Sequence, residues 1–434
     1  MVVHFPVEIL SIIFKDVAHG LLSEKRFQDA HRLLLVSPSV RAIVEPILYR
    51  SLETDDPRVE PIFWAVMGRP QLAQLVKRFD LIDECTDRDY EDSDEDEEED
   101  EDEDEDDEDE EDEEGEEVGK GQPKLKSDES QPSSNSEEDA KSRQLNAAVV
   151  ILKSKFQTYG ERIRSSEDHW TRRLMKSKPD AIQWGLLVQL SDLTSLTLEV
   201  NRGELAQMAI LLHLPRLENL DFAIAVGSEG AWSGDISSED ILESIISNTN
   251  RLKSLRFENI NGSCNSPEQH DAEELKQIID RHAQTLENLD IVCGMDDQKD
   301  WRMSQECADI VGCFGSMKHF TRLSSLSVQL EVLLGKPADN QHRLKDVLPP
   351  NLYELTLLNL PDYRGQEDSD RIWEDEHYIP HFEELARAAE DGQNFASLES
   401  VRVYLTRKDE FNPCRSGNYE ESDLAQSRIH FGWF

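Results

Sequence analysis

The apolar positions at the start of the chain recur with the spacing of an amphipathic helix. Ile9, Ile13 and Val17 fall on one face, which predicts a first helix over 6–18. Pro6 suits the first turn of that helix, because the N–H that proline lacks has no helical partner there in any case. The pattern therefore predicts an amphipathic helix before any other element.

Two more short helices are predicted before residue 50. The second follows an apolar run at Phe27, Ala30, Leu33 and Leu34. Ser37 is expected to cap the third helix, with Pro38 in its first turn and Pro46 kinking or breaking it. Three helices of this size bury little surface, so we expect their exposed apolar side chains to dock on a partner or on the rest of the chain.

A second pattern, Leu-x-x-Leu-x-apolar, recurs along the rest of the chain at irregular intervals of 24 to 46 residues. Alternation of this kind is typical of short strands with one buried face. The seven copies are Leu193/Leu196/Leu198, Leu217/Leu220/Phe222, Leu252/Leu255/Phe257, Leu286/Leu289/Ile291, Leu323/Leu326/Val328, Leu352/Leu355/Leu357 and Leu398/Val401/Val403. Helix-compatible stretches lie between the copies, among them Glu204–Leu212, Ser238–Asn248, Asp271–His282 and Phe382–Ala389.

Repeated units of one strand and one helix predict a stacked α/β architecture. No single unit of that size buries its own apolar face, so neighbouring units stack, as in leucine-rich-repeat solenoids. A weaker copy at Leu75/Arg78/Leu81 would place the first strand before residue 83, with Arg78 at an inward position. The apolar segment 429–434 is expected to pack as a cap over the last repeat. The expected fold class is therefore α/β.

A strongly acidic segment separates the first helices from most of the repeats. From Glu91 to Glu117, 25 of 27 residues are Asp or Glu. Charge of one sign at that density extends the chain and prevents formation of a core. Together with its Gly-, Ser- and Pro-containing flank, the segment predicts a disordered insert over 91–142 that loops out between repeats without interrupting their stacking.

Net charge restricts the partners that the chain is expected to bind. The formal charge is −46, and it remains −21 without the 25 acids of the acidic segment. Nucleic-acid binding is disfavoured, because it needs clustered Lys and Arg side chains to displace counterions. Basic proteins are favoured instead, and a basic protein partner for the acidic segment is one expectation.

Residue patterns that carry catalysis or metal binding are not found in the sequence. The six cysteines form no Cys-x-x-Cys pair and are interpreted as reduced, mostly buried thiols. His377 and His381 are four residues apart, but Pro380 argues against one uninterrupted helix holding both as metal ligands, so surface or loop positions are expected. We expect no enzyme activity, no cofactor and no metal.

The distribution of apolar residues also bears on location. No apolar run approaches the length of a membrane-spanning helix. Glu8, Lys15 and Asp16 interrupt the first apolar stretch, which is wrong for a secretory signal. We therefore expect no membrane contact and a cytoplasmic or nuclear location.

The first fifty residues resemble an F-box domain, in particular the F-box-like domains of many fungal proteins. The resemblance rests on Phe5-Pro6-Val7-Glu8-Ile9-Leu10, on Ile12-Ile13-Phe14, on Leu33-Leu34-Leu35-Val36-Ser37 and on Val40-Arg41. The family usually has Leu where this chain has Phe5, and in many members Trp where it has Val40. Because the family binds a Skp-type adaptor, the resemblance implies an adaptor-binding face made by Pro6, Ile9, Leu10, Ile13, Leu34 and Val36.

An F-box-like head followed by irregular leucine-rich repeats resembles the substrate receptors of Skp–cullin–F-box-type ubiquitin-protein ligases. The expected domains are an F-box-like helical domain at 1–52, a linker and first repeat at 53–90, the insert at 91–142, and a leucine-rich-repeat-like solenoid with a C-terminal cap at 143–434. The expected function is a non-catalytic receptor that holds the adaptor with its N-terminal helices and an unidentified protein substrate with its solenoid.

Two alternatives stay open at this point. Acidic segments joined to leucine-rich repeats also resemble acidic nuclear proteins that bind histones or other basic proteins, although in that family the acidic segment usually follows the repeats. An adaptor-binding helix has no use in a histone chaperone, so the head distinguishes the two. An enzyme with an unrecognised site is the remaining alternative, and it would require several polar residues to converge in one pocket.

Overall fold

The computed structural model describes residues 7–23, 26–53, 58–82, 135–159, 164–176, 178–201, 209, 211–225, 237–260, 269–293, 309–336, 342–359, 375–391, 395–405 and 429–433. The chain divides into two compact units. One comprises Met1–Asp83 with Gln144–Phe434, and the other is Glu84–Arg143. The described residues of the second unit are 135–143, all helical. The acidic segment Glu91–Glu117 lies outside the described residues.

The first unit starts with the three short helices that the apolar spacing predicts. They are α1 (Val7–Ser23), α2 (Phe27–Leu33) and α3 (Pro38–Leu48). Ser37 caps α3, because its side-chain oxygen accepts a hydrogen bond of 3.2 Å from the Val40 N–H. Pro46 does not break the helix, which continues to Leu48. The three helices pack on one another over the buried residues Ala18, Ala30, Leu34, Val40, Val44 and Leu48.

The strands follow the repeat pattern. In chain order they are β1 (Ser51–Glu53), β2 (Arg78–Ile82), β3 (Ser195–Asn201), β4 (Asn219–Ala225), β5 (Ser254–Ile260), β6 (Gln269–Asp271), β7 (Asn288–Cys293), β8 (Asp309–Val311), β9 (Ser325–Gln329), β10 (Glu354–Asn359), β11 (Ser400–Leu405) and β12 (His430–Trp433). Within the described residues, ten of them form one parallel sheet in the order β1-β2-β3-β4-β5-β7-β9-β10-β11-β12, and β6 pairs with β8. The fold is therefore mixed α/β.

The second apolar residue of each repeat lies in one row across this main sheet. Leu196, Leu220 and Leu255 are register partners on β3, β4 and β5. The row continues on the following strands with Leu289, Leu326, Leu355 and Val401. All seven side chains are at most 2% exposed, so this row forms the middle of the core. The hydrophobic effect of burying it is what holds neighbouring repeats together.

The first repeat has a different register from the one expected. Phe79 and Leu81 are the buried residues of β2, and they pair with the buried row of β3. Arg78 points to the opposite face, with its side chain 57% exposed. The expectation of an inward Arg78 is therefore wrong, because the copy reads Val76/Phe79/Leu81 and not Leu75/Arg78/Leu81.

Two strands that the repeat pattern does not predict complete the main sheet. β1 follows α3 almost directly and pairs with β2, with Leu52 opposite Phe79. β12 pairs with β11, with Phe431 opposite Val401. The segment expected to cap the last repeat therefore covers it as a further parallel strand, which extends the buried row by one residue.

Helices lie between most of the strands. α4 (Val59–Gly68) precedes β2, while α5 (Asn135–Tyr159), α6 (Arg164–Met175) and α7 (Pro179–Leu187) precede β3. The later helices are α8 (Ser238–Ile246), α9 (Ala272–Asp280), α10 (Leu330–Leu334), α11 (Leu344–Val347) and α12 (Asp375–Glu390). Because α5 begins at Asn135, the last residues of the expected insert are helical. The helix expected at Glu204–Leu212 lies largely outside the described residues.

The last helix corrects one expectation about histidines. α12 runs without interruption through Pro380, so His377 and His381 share one helix. His381 is 3% exposed and is therefore a core residue, not a surface or loop residue. Within the described ranges, no three His, Cys, Asp or Glu side chains come together in a way that could hold a metal ion. None of the described helices is long and apolar enough to cross a membrane.

Candidate functional site

An apolar stripe lies exposed on the outer face of α1. Ile9, Ile12, Ile13 and Val17 are between 42% and 56% exposed, although each is a large aliphatic side chain. Helical spacing puts them on one side of α1, while Ala18 faces the core. Contiguous exposed apolar side chains of this kind are typical of protein-binding surfaces.

A second exposed apolar pair lies in the turn between α2 and α3. Leu35 is 79% exposed and Val36 is 60% exposed. The turn is held by hydrogen bonds from the Leu35 N–H to the Arg32 carbonyl and from the Val36 N–H to the Leu33 carbonyl. We call the three helices α1, α2 and α3 the head. The apolar surface of the head is α1's stripe together with this pair, and it consists of Ile9, Ile12, Ile13, Val17, Leu35 and Val36.

The residues that the resemblance implies for adaptor binding fall into three groups. Ile9, Ile13 and Val36 belong to the apolar surface of the head. Leu10 is half-buried, and Leu34 is buried at 8% exposure, so Leu34 contributes to the core of the three helices. Pro6 lies outside the described residues.

Sequence reasoning named fewer residues of this surface than the structure exposes. The binding face that the resemblance implies does not include Ile12, Val17 or Leu35, yet these side chains are between 42% and 79% exposed. Burial of Leu34 and exposure of Leu35 could not be separated from sequence, because both belong to one unbroken apolar run. The turn that begins at Leu34 decides which of the two faces the core.

Two arginines fix the three helices to the start of the sheet. The Arg58 guanidinium donates hydrogen bonds to the Leu48 and Ser51 carbonyl oxygens, at 2.9 and 3.2 Å, and lies 4.5 Å from the Phe27 ring centre. Arg69 Nη2 lies 2.8 Å from Glu45 Oε1, and this carboxylate raises the pKa of Arg69. The C-terminal end of α3 is therefore held to the start of the sheet by directed contacts.

The outer face of the main sheet is polar. It is the face opposite the buried rows, because side chains alternate along each strand. One outward row across β3, β4, β5, β7 and β9 consists of small polar residues, namely Ser195, Asn219, Ser254, Asn288 and Ser325. The next row, two residues further along each strand, is Asp80, Thr197, Asp221, Arg256, Asp290 and Ser327.

Arg256 is the centre of an ion network on this face. Its Nη2 lies 2.7 Å from Glu258 Oε2, whereas Asp221 Oδ2 and Asp290 Oδ2 are 3.8 and 3.7 Å from its other nitrogens. Partial burial raises the pKa of Asp221; Arg256 opposes this rise, and the carboxylates of Asp290 and Asp80 add to it. The Arg256 guanidinium therefore interacts with three carboxylates, and its contact with Glu258 is the shortest.

A shallow depression of about 330 Å³ lies over these two rows, from β3 to β9. Its floor is formed by short side chains such as Ser195 and Ser254, and its charged lining is Asp221, Arg256 and Asp290. Short polar side chains leave room above the sheet and offer hydrogen-bond donors and acceptors. Such a lining suits a polar, flexible ligand better than an apolar one.

Burial shifts the pKa values of the described cysteines and of His381. Cys293 is buried, and burial raises the pKa of its thiol far above the usual range, while Cys313 is half-buried and its pKa is raised for the same reason. Burial lowers the pKa of His381 to about 4. The cysteines Cys85, Cys264, Cys307 and Cys414 lie outside the described residues.

Comparison of the chain with protein-family models, with curated proteins and with solved structures found no match. Function is therefore inferred from two surfaces of the molecule, the apolar surface of the head and the polar outer face of the main sheet.

Proposed function

We propose that the protein is a non-catalytic substrate receptor of a Skp–cullin–F-box-type ubiquitin-protein ligase. The N-terminal helices would bind a Skp-type adaptor, and the repeat region would hold a protein substrate. No cofactor or metal takes part in this function, because both tasks are protein–protein contacts. The protein would act in the cytoplasm or the nucleus, where such ligases work.

The observation that carries this proposal is the exposed apolar surface of the head. It occurs in the same fifty residues whose motif resembles an F-box, and it includes Ile9, Ile13 and Val36. Helical pairing through an aliphatic stripe on one helix is a common mode of protein recognition. An exposed cluster of this size costs solubility unless a partner covers it, so adaptor binding accounts for its presence.

The proposal includes a leucine-rich-repeat-like solenoid as the finer description of the fold. Support comes from the main sheet, in which consecutive repeats contribute parallel strands in sequential order. The repeat consensus occupies equivalent register positions on β3, β4, β5, β7, β9, β10 and β11. Stacked units that share one buried row are the defining property of solenoids.

The proposal is tested by capture of a recombinant Skp-type adaptor on the full chain. The test variant is Ile9→Asp with Ile13→Asp, which puts two charges on the stripe without touching a core side chain. Leu34→Asp is unsuitable, because Leu34 is buried and its replacement would unfold the head. We expect wild type to retain the adaptor and the test variant to lose it.

A matched control separates loss of the surface from loss of the fold. Val150→Asp with Ile151→Asp makes the same chemical change on α5, where the side chains are 67% and 37% exposed. We expect this control to bind the adaptor like wild type. If wild type fails to bind, or if both double variants bind equally well, the proposal is overturned.

The alternative is an acidic nuclear leucine-rich-repeat protein that binds histones or other basic proteins. The observation that favours it is the formal charge of −46, with 25 of 27 residues acidic from Glu91 to Glu117. This alternative predicts capture of core histones by the full chain and no retention of the adaptor. The adaptor experiment therefore decides between the two functions.

A further inference from the structure

Two exposed carboxylates on the outer face of the main sheet lie at a defined spacing. Asp221 and Asp290 belong to one register row on β4 and β7, with Arg256 on β5 between them. Asp80 continues this row on β2, but its side chain is 7% exposed and ion-paired with Arg78 at 2.8 Å, so a ligand cannot reach it. Since neighbouring strands are about 4.8 Å apart, Asp221 and Asp290 are about 9.6 Å apart along the row.

This spacing matches one conformation of an extended polypeptide. A polyproline II segment has three residues per turn and rises about 3.1 Å per residue, so every third side chain points the same way at intervals of about 9.3 Å. A β-strand fits less well, because side chains three residues apart point to opposite faces. A segment crossing the strands in the polyproline II conformation would present one side chain to each carboxylate.

The charge of the face determines which side chain that is. The outward residues of β2 to β7 include five described carboxylates, Asp80, Glu199, Asp221, Glu258 and Asp290, against two guanidiniums, Arg78 and Arg256. Arg256 is drawn toward Glu258 at 2.7 Å and stays beyond 3.6 Å from Asp221 and Asp290. Added positive charge beside these two aspartates is therefore favourable.

The face is accessible to such a ligand. The side chains of Asp221, Arg256 and Asp290 are 42%, 49% and 39% exposed, and the depression of about 330 Å³ lies directly over them. The adjoining row of Ser195, Asn219 and Ser254 offers hydrogen bonds to the main chain of a segment that lacks regular structure of its own. The depression and the charge spacing are separate features of the same face.

We propose that the outer face of the main sheet binds an extended basic segment of a partner protein, with Lys or Arg at every third position. Asp221 and Asp290 each accept one cationic side chain, and the row of Ser and Asn residues binds the main chain. This inference deepens the proposed function and rests on it in one respect, since it names the class of substrate segment that the repeat region would hold.

Binding is measured by fluorescence anisotropy on the full chain with two labelled peptides of the same composition. One contains three Arg-Pro-Ser triplets, and the other has its three arginines consecutive. The acidic segment Glu91–Glu117 attracts both peptides alike, so the difference between them reports on the spacing. We expect the spaced peptide to bind about fivefold more tightly, as the gain of one or two additional surface ion pairs predicts.

The variant Asp221→Asn with Asp290→Asn should remove this preference and weaken the spaced peptide about fivefold. Glu390→Gln with Asp391→Asn removes the same charge at the exposed end of α12 and should leave the preference unchanged. Equal binding of the two peptides to wild type overturns the proposal. So does an equal effect of the two double variants, which would indicate general attraction to an acidic protein.

Adaptor capture is measured on the same Asp221→Asn/Asp290→Asn variant. Retained adaptor with lost peptide preference is the expected result, and it assigns the two activities to separate surfaces. If wild type captures the adaptor but shows no peptide preference, the inference fails while the proposed function stands. If wild type shows the preference but captures no adaptor, the ligase proposal fails while the basic-segment site stands.

Discussion

The side-chain amide of Gln329 makes the two hydrogen bonds with the Cys293 main chain that a neighbouring strand would otherwise make. Its side-chain Oε1 accepts a hydrogen bond of 2.8 Å from the Cys293 N–H, and its Nε2 donates one of 2.6 Å to the Cys293 carbonyl oxygen. β9 ends at Gln329 because the chain turns into α10 at Leu330. The side-chain amide therefore satisfies the last backbone groups of β7, which would otherwise be buried without partners.

Replacing Gln329 by Leu should destabilise the protein by about 2–4 kcal/mol, because it leaves one buried N–H and one buried C=O without partners. The measurement is urea unfolding followed by circular dichroism. Gln284→Leu is the control, since Gln284 is exposed and the same change there should cost at most about 0.5 kcal/mol. Equal costs at the two sites would show that the Gln329 amide does not support β7.

Phe79 and Arg78 test the register of the first repeat. Phe79 is fully buried, so Phe79→Ala should cost about 3–5 kcal/mol through the cavity it leaves. Arg78→Ala removes an exposed side chain but also the ion pair with the buried Asp80, and should cost less than Phe79→Ala, about 1–2 kcal/mol. If Arg78→Ala lowered the free energy of unfolding more than Phe79→Ala, the result would support the register in which Arg78 points inward.

His381 should make stability depend on pH. Burial, and next the positive charge of Arg343, lower the pKa of its imidazole to about 4, although Glu384 opposes the shift. The folded state therefore binds this proton less readily than the unfolded chain, whose histidine has a pKa of about 6.5. The contribution of His381 to the free energy of unfolding is therefore fully present above pH 6.5, and it falls by about 3 kcal/mol as the pH drops toward 4.

The check is the slope of unfolding free energy against pH between 6.5 and 4. His381→Leu should flatten that slope, whatever its effect on stability at pH 8. His282 contributes in the same direction, because burial lowers the pKa of its imidazole as well. An unchanged slope in His381→Leu would mean that other groups cause the acid sensitivity.

Arg256→Gln should destabilise the protein by about 0.5–1 kcal/mol at pH 7, because it removes the cation shared by Asp221, Glu258 and Asp290. The cost should shrink at pH 3, where protonated carboxyls no longer repel one another, and also in 1 M salt, where the Debye length falls to about 3 Å. Thermal unfolding at both pH values measures the difference. A cost that does not change with pH or salt would contradict the ion network.

Sequence reasoning predicted the elements of the fold better than their contacts. The α/β class, the three N-terminal helices and seven strands follow from spacing of apolar residues, which depends on neighbours a few positions apart. It missed β1 and β12, which carry too few residues to show the repeat pattern. It also placed a break at Pro380 that the packing of α12 overrides, since Phe382 and Leu385 bury against the core.

The two proposed binding surfaces were less accessible to sequence reasoning. The apolar surface of the head was predicted in part, through a motif, but the outward row of Asp80, Asp221 and Asp290 was not. Its members belong to repeats that are far apart in the chain and carry no shared motif. A row of this kind becomes visible when the strand register is known.

In the strands, the local alternation of apolar and polar residues is enough to establish which side chains avoid water, and it needs no knowledge of the fold. Which strands are neighbours, and hence which outward side chains meet, follows from the packing of the whole chain. Thr194 hydrogen-bonds to the Lys77 carbonyl oxygen across 117 residues of chain, which places Asp80 in one row with Asp221. Contacts between residues so far apart in the chain depend on how the whole core packs, and the local spacing of apolar residues carries no information about that packing.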